Sequence, residues 1–252
     1  MAFDQFSSMS KVQEIRSTLS SLKSPKKAAA LQKHFMTGPG EYAAGDKFLG
    51  VDIANQRNIA KQNFESVSYN DLSELIRSNI HEFRMTSLLM MTYRFTEASS
   101  EEEKKEMVDF YVDHLDYVNN WDLVDTTAEK ILGTYLLKKD RMLLMNMAKS
   151  RRLWRERLAL LATVHFIKYN DFNTSFEIIK ILSAHPHIII HQAVGKVMKE
   201  ITKRDANSAE EFLSKHYKNM SSGIFKQAIS GLDPERQRAY RNGSVTPAAS
   251  KD

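Results

Sequence analysis

The sequence predicts an all-α protein, a curved solenoid of HEAT-like helical repeats (an α-α superhelix), and three observations predict it. Glycine and proline are scarce, at nine and five among 252 residues, and no segment shows the period-2 alternation between hairpin turns that marks strands. Apolar residues instead recur at spacings of three and four, as in Leu72, Leu75 and Ile76, in Met107, Phe110 and Tyr111, and in Leu158, Leu161 and Ala162. Finally, helix pairs recur, with second members expected to open near Ile80, Asn120, Arg152, His187 and Ser222, at a spacing of roughly 32 to 40 residues.

In order along the chain, breaks between helices are expected at Ser24-Pro25, across Thr37 to Gly45, around Ser78-Asn79, and at Ala98 to Ser100. Others follow at Asn119-Asn120, around Lys149-Ser150, at His185-Pro186 and at Ser221 to Gly223. About a dozen helices result. They are expected to form one repeat domain over 1–242, followed by a disordered tail over 243–252 whose residues are small and polar.

Composition excludes several classes. The absence of cysteine rules out disulfides, thiolate metal sites and a cysteine nucleophile, and the eight histidines show no HExxH pattern, so neither metal nor cofactor is expected. No apolar run is long enough to span a bilayer, and the start MAFDQFSSMSK lacks a secretory pattern. A cytoplasmic monomer is the expectation, nucleoid-associated if bacterial. The net charge of +5 is compatible with a polyanionic partner but modest for the length.

Five segments carry a family resemblance: TGPGEYAAGDKFLGV (Thr37 to Val51), HEFRMTSLLMM (His81 to Met91), NNWDLVDTTAEKILGTYL (Asn119 to Leu136), LWRERLALLAT (Leu153 to Thr163) and HQAVGKVMKEITKRD (His191 to Asp205). Together they resemble, in family order over about residues 10 to 240, the AlkD-like DNA alkylation repair family of alkylpurine DNA glycosylases, of which the chain looks like a divergent member. The resemblance implies a concave face holding double-stranded DNA with alkylated bases, and hydrolysis of the N-glycosidic bond of N3- or N7-alkylated purines. It also implies that the base stays in the duplex.

Trp121 and Asp125 are four apart on one expected helix, so an aromatic surface and a carboxylate share a face. On the resemblance, Asp125 is the catalytic group, stabilising the developing positive charge on the sugar and orienting a water. Trp121 packs against sugar and backbone, while Arg157, three residues after Trp154, holds a phosphate and keeps Asp125 ionised. Arg152, with Arg151 and Arg155, suits further phosphates. Without the resemblance, the same residues read as core packing for Trp121, an ion-pair partner for Asp125 and a surface or salt-bridge residue for Arg157. Asp122 reads as a helix-start acid, and His81 and Glu82 as structural.

Three departures stand out. The family commonly has AVGW where this chain has AVGK, so Lys196 replaces a flat aromatic wall with a mobile charge that suits phosphate. MSSGIFKQAIS (Met220 to Ser230) lacks the family's Met-Pro-Arg-Thr, and Asp52 in VDIANQR puts an acid where related chains carry a base. A non-catalytic repeat protein binding damaged or branched DNA is the alternative reading, and a protein-interaction scaffold a third.

Overall fold

The structure, a computed structural model, describes residues 9–245. Of the expected tail, Gly243 to Val245 follow the last helix, and 246–252 lie outside the described residues. The described chain is all-helical apart from one isolated parallel bridge between Lys47 and Ile80. It divides into two compact units, Met1–Thr127 and Ala128–Asp252.

The first unit holds α1 (Lys11–Ser21), α2 (Pro25–His34), α3 (Ile53–Asn63), α4 (Tyr69–Ile76), α5 (His81–Glu97), α6 (Glu101–Asp113) and α7 (Trp121–Thr127). Serine starts several of these helices. Ser10, Ser24, Ser68 and Ser100 each accept a hydrogen bond from a first-turn amide, so one of the otherwise orphaned amide donors is satisfied at each start. The unit's centre is α5, against which α1, α3, α4, α6 and α7 all pack. Every residue from His81 to Thr92 is buried, which explains why this helix shows no clean polar face in the sequence.

The second unit opens with a π-helical turn, Glu129–Gly133, which continues as α8 (Thr134–Leu136). Then come α9 (Met142–Ala148), α10 (Leu153–Ala162), α11 (Val164–Ile167), α12 (Asn173–Ile181), α13 (Ile188–Arg204), α14 (Ala206–His216), α15 (Ser222–Ala228) and α16 (Pro234–Arg241). Here α13 is central, packed by α10, α11, α14 and α15. The helices expected near Ile80, Asn120, Arg152, His187 and Ser222 open at His81, Trp121, Leu153, Ile188 and Ser222.

Glycine decides the packing of the long loop between α2 and α3. Gly50 has φ +82°, and a Cβ there would lie 2.3 Å from the Ser24 carbonyl oxygen and 2.6 Å from the Ala28 amide nitrogen, both backbone atoms. Gly45, at φ +90°, faces open space. Gly50→Ala therefore combines left-handed strain with overpacking and is expected to destabilise the first unit by about 3 kcal/mol. Gly45→Ala carries the strain alone, about 1 kcal/mol. Urea unfolding of the two variants checks the ranking, and equal losses would contradict it.

Candidate nucleic-acid interface

The first unit places Trp121 and Asp125 one turn apart on α7, both half-buried. This short helix is held at both ends. At its start, the Asp122 carboxylate accepts from His81 Nε2 at 2.8 Å, and Asn120 Oδ1 accepts from the Trp121 amide at 2.8 Å. At its end, the Thr127 hydroxyl meets the fully buried Tyr111 hydroxyl at 2.7 Å. Burial pushes the Tyr111 phenol well above its ordinary range, so it stays a neutral hydrogen-bonding group.

Beneath the start of α7 lies a buried charge cluster centred on Asp46. One carboxylate oxygen, Oδ2, takes Arg84 Nη2 at 2.7 Å, with His81 Nδ1 at 3.4 Å and Asn120 Nδ2 at 3.5 Å. Arg84 also donates through Nη1 to the Ser78 carbonyl at 2.9 Å. Burial alone would raise the Asp46 pKa, but the hydrogen bond from His81 and the Arg84 charge outweigh it, and the carboxyl is held below its usual range. For His81, burial opposes the charged form, yet the Asp122 carboxylate prevails and the pKa rises.

An aromatic column runs alongside. Trp121 stacks on Phe35 with ring centroids 5.1 Å apart, Phe35 on Phe48 at 5.1 Å, and Phe48 on His81 at 4.6 Å. His34 meets the Trp121 ring edge-on at 5.8 Å. Such pairs contribute roughly 0.5–1.5 kcal/mol each beyond area burial. Phe35, the C-cap of α2, thus braces the tryptophan, and Phe48 of the TGPGEYAAGDKFLGV loop backs Phe35. Glu82 locks that loop in turn: its buried carboxylate accepts from the amides of Leu49 at 2.9 Å, Gly50 at 2.8 Å and Val51 at 3.3 Å.

In the second unit, Arg151 and Arg152 are exposed just before α10, with Arg151 in a left-handed conformation (φ 56°) that turns the chain into the helix. Trp154 and Arg155 are half-buried in its first turn. Arg157 is buried, and its Nη1 donates to the Ile189 carbonyl at 2.6 Å, which joins α10 to the first turn of α13. That burial excludes the plain surface reading of Arg157. Lys196 is exposed midway along α13, followed by exposed Lys199 and Lys203 at helical spacing. Lys196 and Lys199 border a groove of about 300 Å³ that also involves Gln192 and Gln227.

The structure therefore brings Trp121 together with Asp125, and Arg157 with the start of α13, and places these two sets in different units. Asp122 and His81, expected as a helix-start acid and a structural residue, are hydrogen-bonded to one another. The only hint was a run of His, Glu and Arg opening a helix that is otherwise apolar. Asp52, the acid that stands where related chains carry a base, is engaged by Lys27 at 2.5 Å. Met220 to Ser230 supply Ser221 as the N-cap of α15 and one exposed base, Lys226.

These features define an all-helical repeat protein with a braced tryptophan–aspartate helix and basic helix faces. The model of the family described as DNA alkylation repair enzyme matches residues 15–232, and the chain belongs to that family. Membership implies a role in DNA repair with DNA as the partner. Among solved structures, the fold is similar to that of the predicted DNA alkylation repair enzyme from Enterococcus faecalis. That match has a TM-score of 0.63 at 15% identity, over 84% of this chain and 97% of the other. No curated protein matches the chain. Among the described residues, no helix is long and apolar enough to cross a membrane.

Proposed function

We propose that the protein is a DNA glycosylase that binds duplex DNA and hydrolyses the N-glycosidic bond of N3- or N7-alkylated purines, with residues 1–242 working as one domain. The observation that carries this reading is the pairing of Trp121 and Asp125 on α7 in a chain whose family match spans residues 15–232. An alkylated purine is already cationic and leaves without a strong acid. What the transition state needs is an anion near the oxocarbenium-like sugar and a positioned water.

Asp125 supplies that anion and orients the water. Trp121 packs on the sugar and backbone, while Arg152 and Trp154 contact the phosphate chain and the charge of Arg157, held against the Ile189 carbonyl, attracts it from beneath. Lys196 contributes a phosphate contact where relatives offer an aromatic wall. The protein works as a monomer without metal or cofactor.

The test is release of free alkylpurine from methylated duplex DNA by the purified protein. Time-dependent release supports the reading, and DNA binding without release at any enzyme concentration overturns it. Two observations favour a second reading, a non-catalytic binder of damaged or branched DNA: Trp121 already gives one ring face to Phe35, and position 196 is a lysine. Binding without release would select that reading. Because Lys196 is assigned to phosphate, Lys196→Ala is expected to lower the slope of log affinity against log salt by about 0.9 and to weaken binding equally across sequences. A salt slope identical to wild type would remove Lys196 from the interface.

A further inference from the structure

We propose that His81 is a positioning residue for α7: its imidazolium, clamped between Asp46 and Asp122, sets the start of that helix and makes the placement of Trp121 and Asp125 depend on pH. The proposal rests on the glycosylase reading only for its kinetic consequence. Its structural part stands on contacts within the first unit.

Two independent connections run from His81 to the Trp121–Asp125 helix. The first is polar. His81 Nε2 donates to Asp122, the residue immediately after Trp121 and three before Asp125, at 2.8 Å. The second is the aromatic column, in which the His81 ring stacks on Phe48 at 4.6 Å and Phe35 carries the contact on to Trp121. His81 is 3% exposed, so solvent cannot replace either connection when the ring changes state.

The charged groups facing the ring are Asp122 at Nε2, and Asp46 and Arg84 at Nδ1, with the Arg84 Nη2 to Nδ1 distance at 3.5 Å. Glu82, next in sequence, turns away to the amides of Leu49 to Val51. His34, the other imidazole at the column, meets Trp121 edge-on. The charged ring can donate at both nitrogens, one to each carboxylate. On losing its proton it keeps one donor only. The bond to Asp122 then loses its charge-assisted part, and Asp46 loses one of its two cationic neighbours.

The sign follows from the raised pKa of His81. A histidine whose pKa is higher folded than unfolded contributes stability that is full below the unfolded value and is lost as pH rises through the folded value. The His81 part of the clamp is therefore complete below the ordinary histidine range and relaxes as pH rises through the raised folded value.

The experiment measures single-turnover excision from pH 6 to 9 for wild type, His81→Gln, Asp122→Asn and His34→Gln, with DNA affinity measured alongside. Wild type is expected to lose roughly tenfold in rate through an alkaline transition while affinity moves by less than about threefold. Asp122→Asn removes the carboxylate that favours the imidazolium and should move the transition to lower pH. His81→Gln keeps a donor but cannot titrate, and should abolish the transition; His34→Gln should leave it in place. An alkaline transition unmoved by both Asp122→Asn and His81→Gln overturns the proposal.

If no variant, wild type included, releases base, the glycosylase reading fails and the clamp is still read directly. In a Trp154→Phe background, Trp121 is the remaining tryptophan, so its fluorescence should follow the His81 imidazole titration seen by nitrogen-15 NMR, with the midpoint lowered in Asp122→Asn. Fluorescence that ignores the His81 titration overturns the positioning role whatever the enzymatic outcome.

Discussion

On the proposed glycosylase activity, replacing Asp125 with asparagine is expected to reduce excision by about 10²–10³-fold, equivalent to roughly 3–4 kcal/mol of transition-state stabilisation, while changing DNA affinity by less than about threefold. Asparagine keeps the size and much of the hydrogen bonding of the carboxylate and removes its charge. The charge is what an oxocarbenium-like sugar requires. Asp125 sits in the middle of α7, with Asp122 anchored to His81 on one side and Thr127 to Tyr111 on the other, so the substitution should leave the helix in place. Circular dichroism should match wild type. A variant retaining more than about a tenth of the wild-type rate would mean that the anion acts elsewhere or that electrostatics at this position is minor.

The largest expected loss of stability is at Arg84. The residue is 2% exposed, and its guanidinium bonds Asp46 at 2.7 Å and the Ser78 carbonyl at 2.9 Å. Arg84→Ala leaves a buried carboxylate without its nearest cation and a carbonyl without a donor, at a cost of about 3–5 kcal/mol. The pH dependence has a definite sign. In wild type Asp46 has a lowered pKa, so its contribution is present above the ordinary carboxylate range and is lost as pH falls through the folded value. Without Arg84 the carboxyl takes up a proton at higher pH, which removes the uncompensated charge. The deficit of the variant should be greatest at neutral pH and shrink toward pH 4. Urea titrations at several pH values measure this, and a deficit below about 1 kcal/mol at pH 7 would mean that the pair contributes little.

The helices were legible because their signals are local. Ser24-Pro25 announced α2 by a capping hydroxyl followed by proline at the first helical position, and His185-Pro186 placed the start of α13 within a few residues. The spacing of Trp121 and Asp125 sufficed to put them on one helix. The cluster around Asp46 was not legible. Its members are separated by 35, 38 and 74 residues, and no periodicity relates GDKF to HEFR or to NNWD. Buried α5 hid a further part: with apolar residues all round, its polar members His81, Glu82 and Arg84 resemble ordinary first-turn residues until their partners from the α2–α3 loop are seen. The resemblance places Arg157 at the site, and only packing reveals its burial against Ile189.

The Glu82 and Asp46 contacts also dictate an order of assembly. The amides of Leu49, Gly50 and Val51 depend on a carboxylate 31 to 33 residues later in the chain. Asp46 waits longer, for groups as distant as Asn120. A chain emerging from the ribosome can form α1 and α2 early but cannot seat the segment after them until α5 exists, and cannot complete it until the NNWDLVD segment has emerged. The segment after α2 thus docks only once groups synthesised later have emerged. A nascent chain stalled before Asn120 should leave Phe35 without the Trp121 ring that stacks on it once folding is complete.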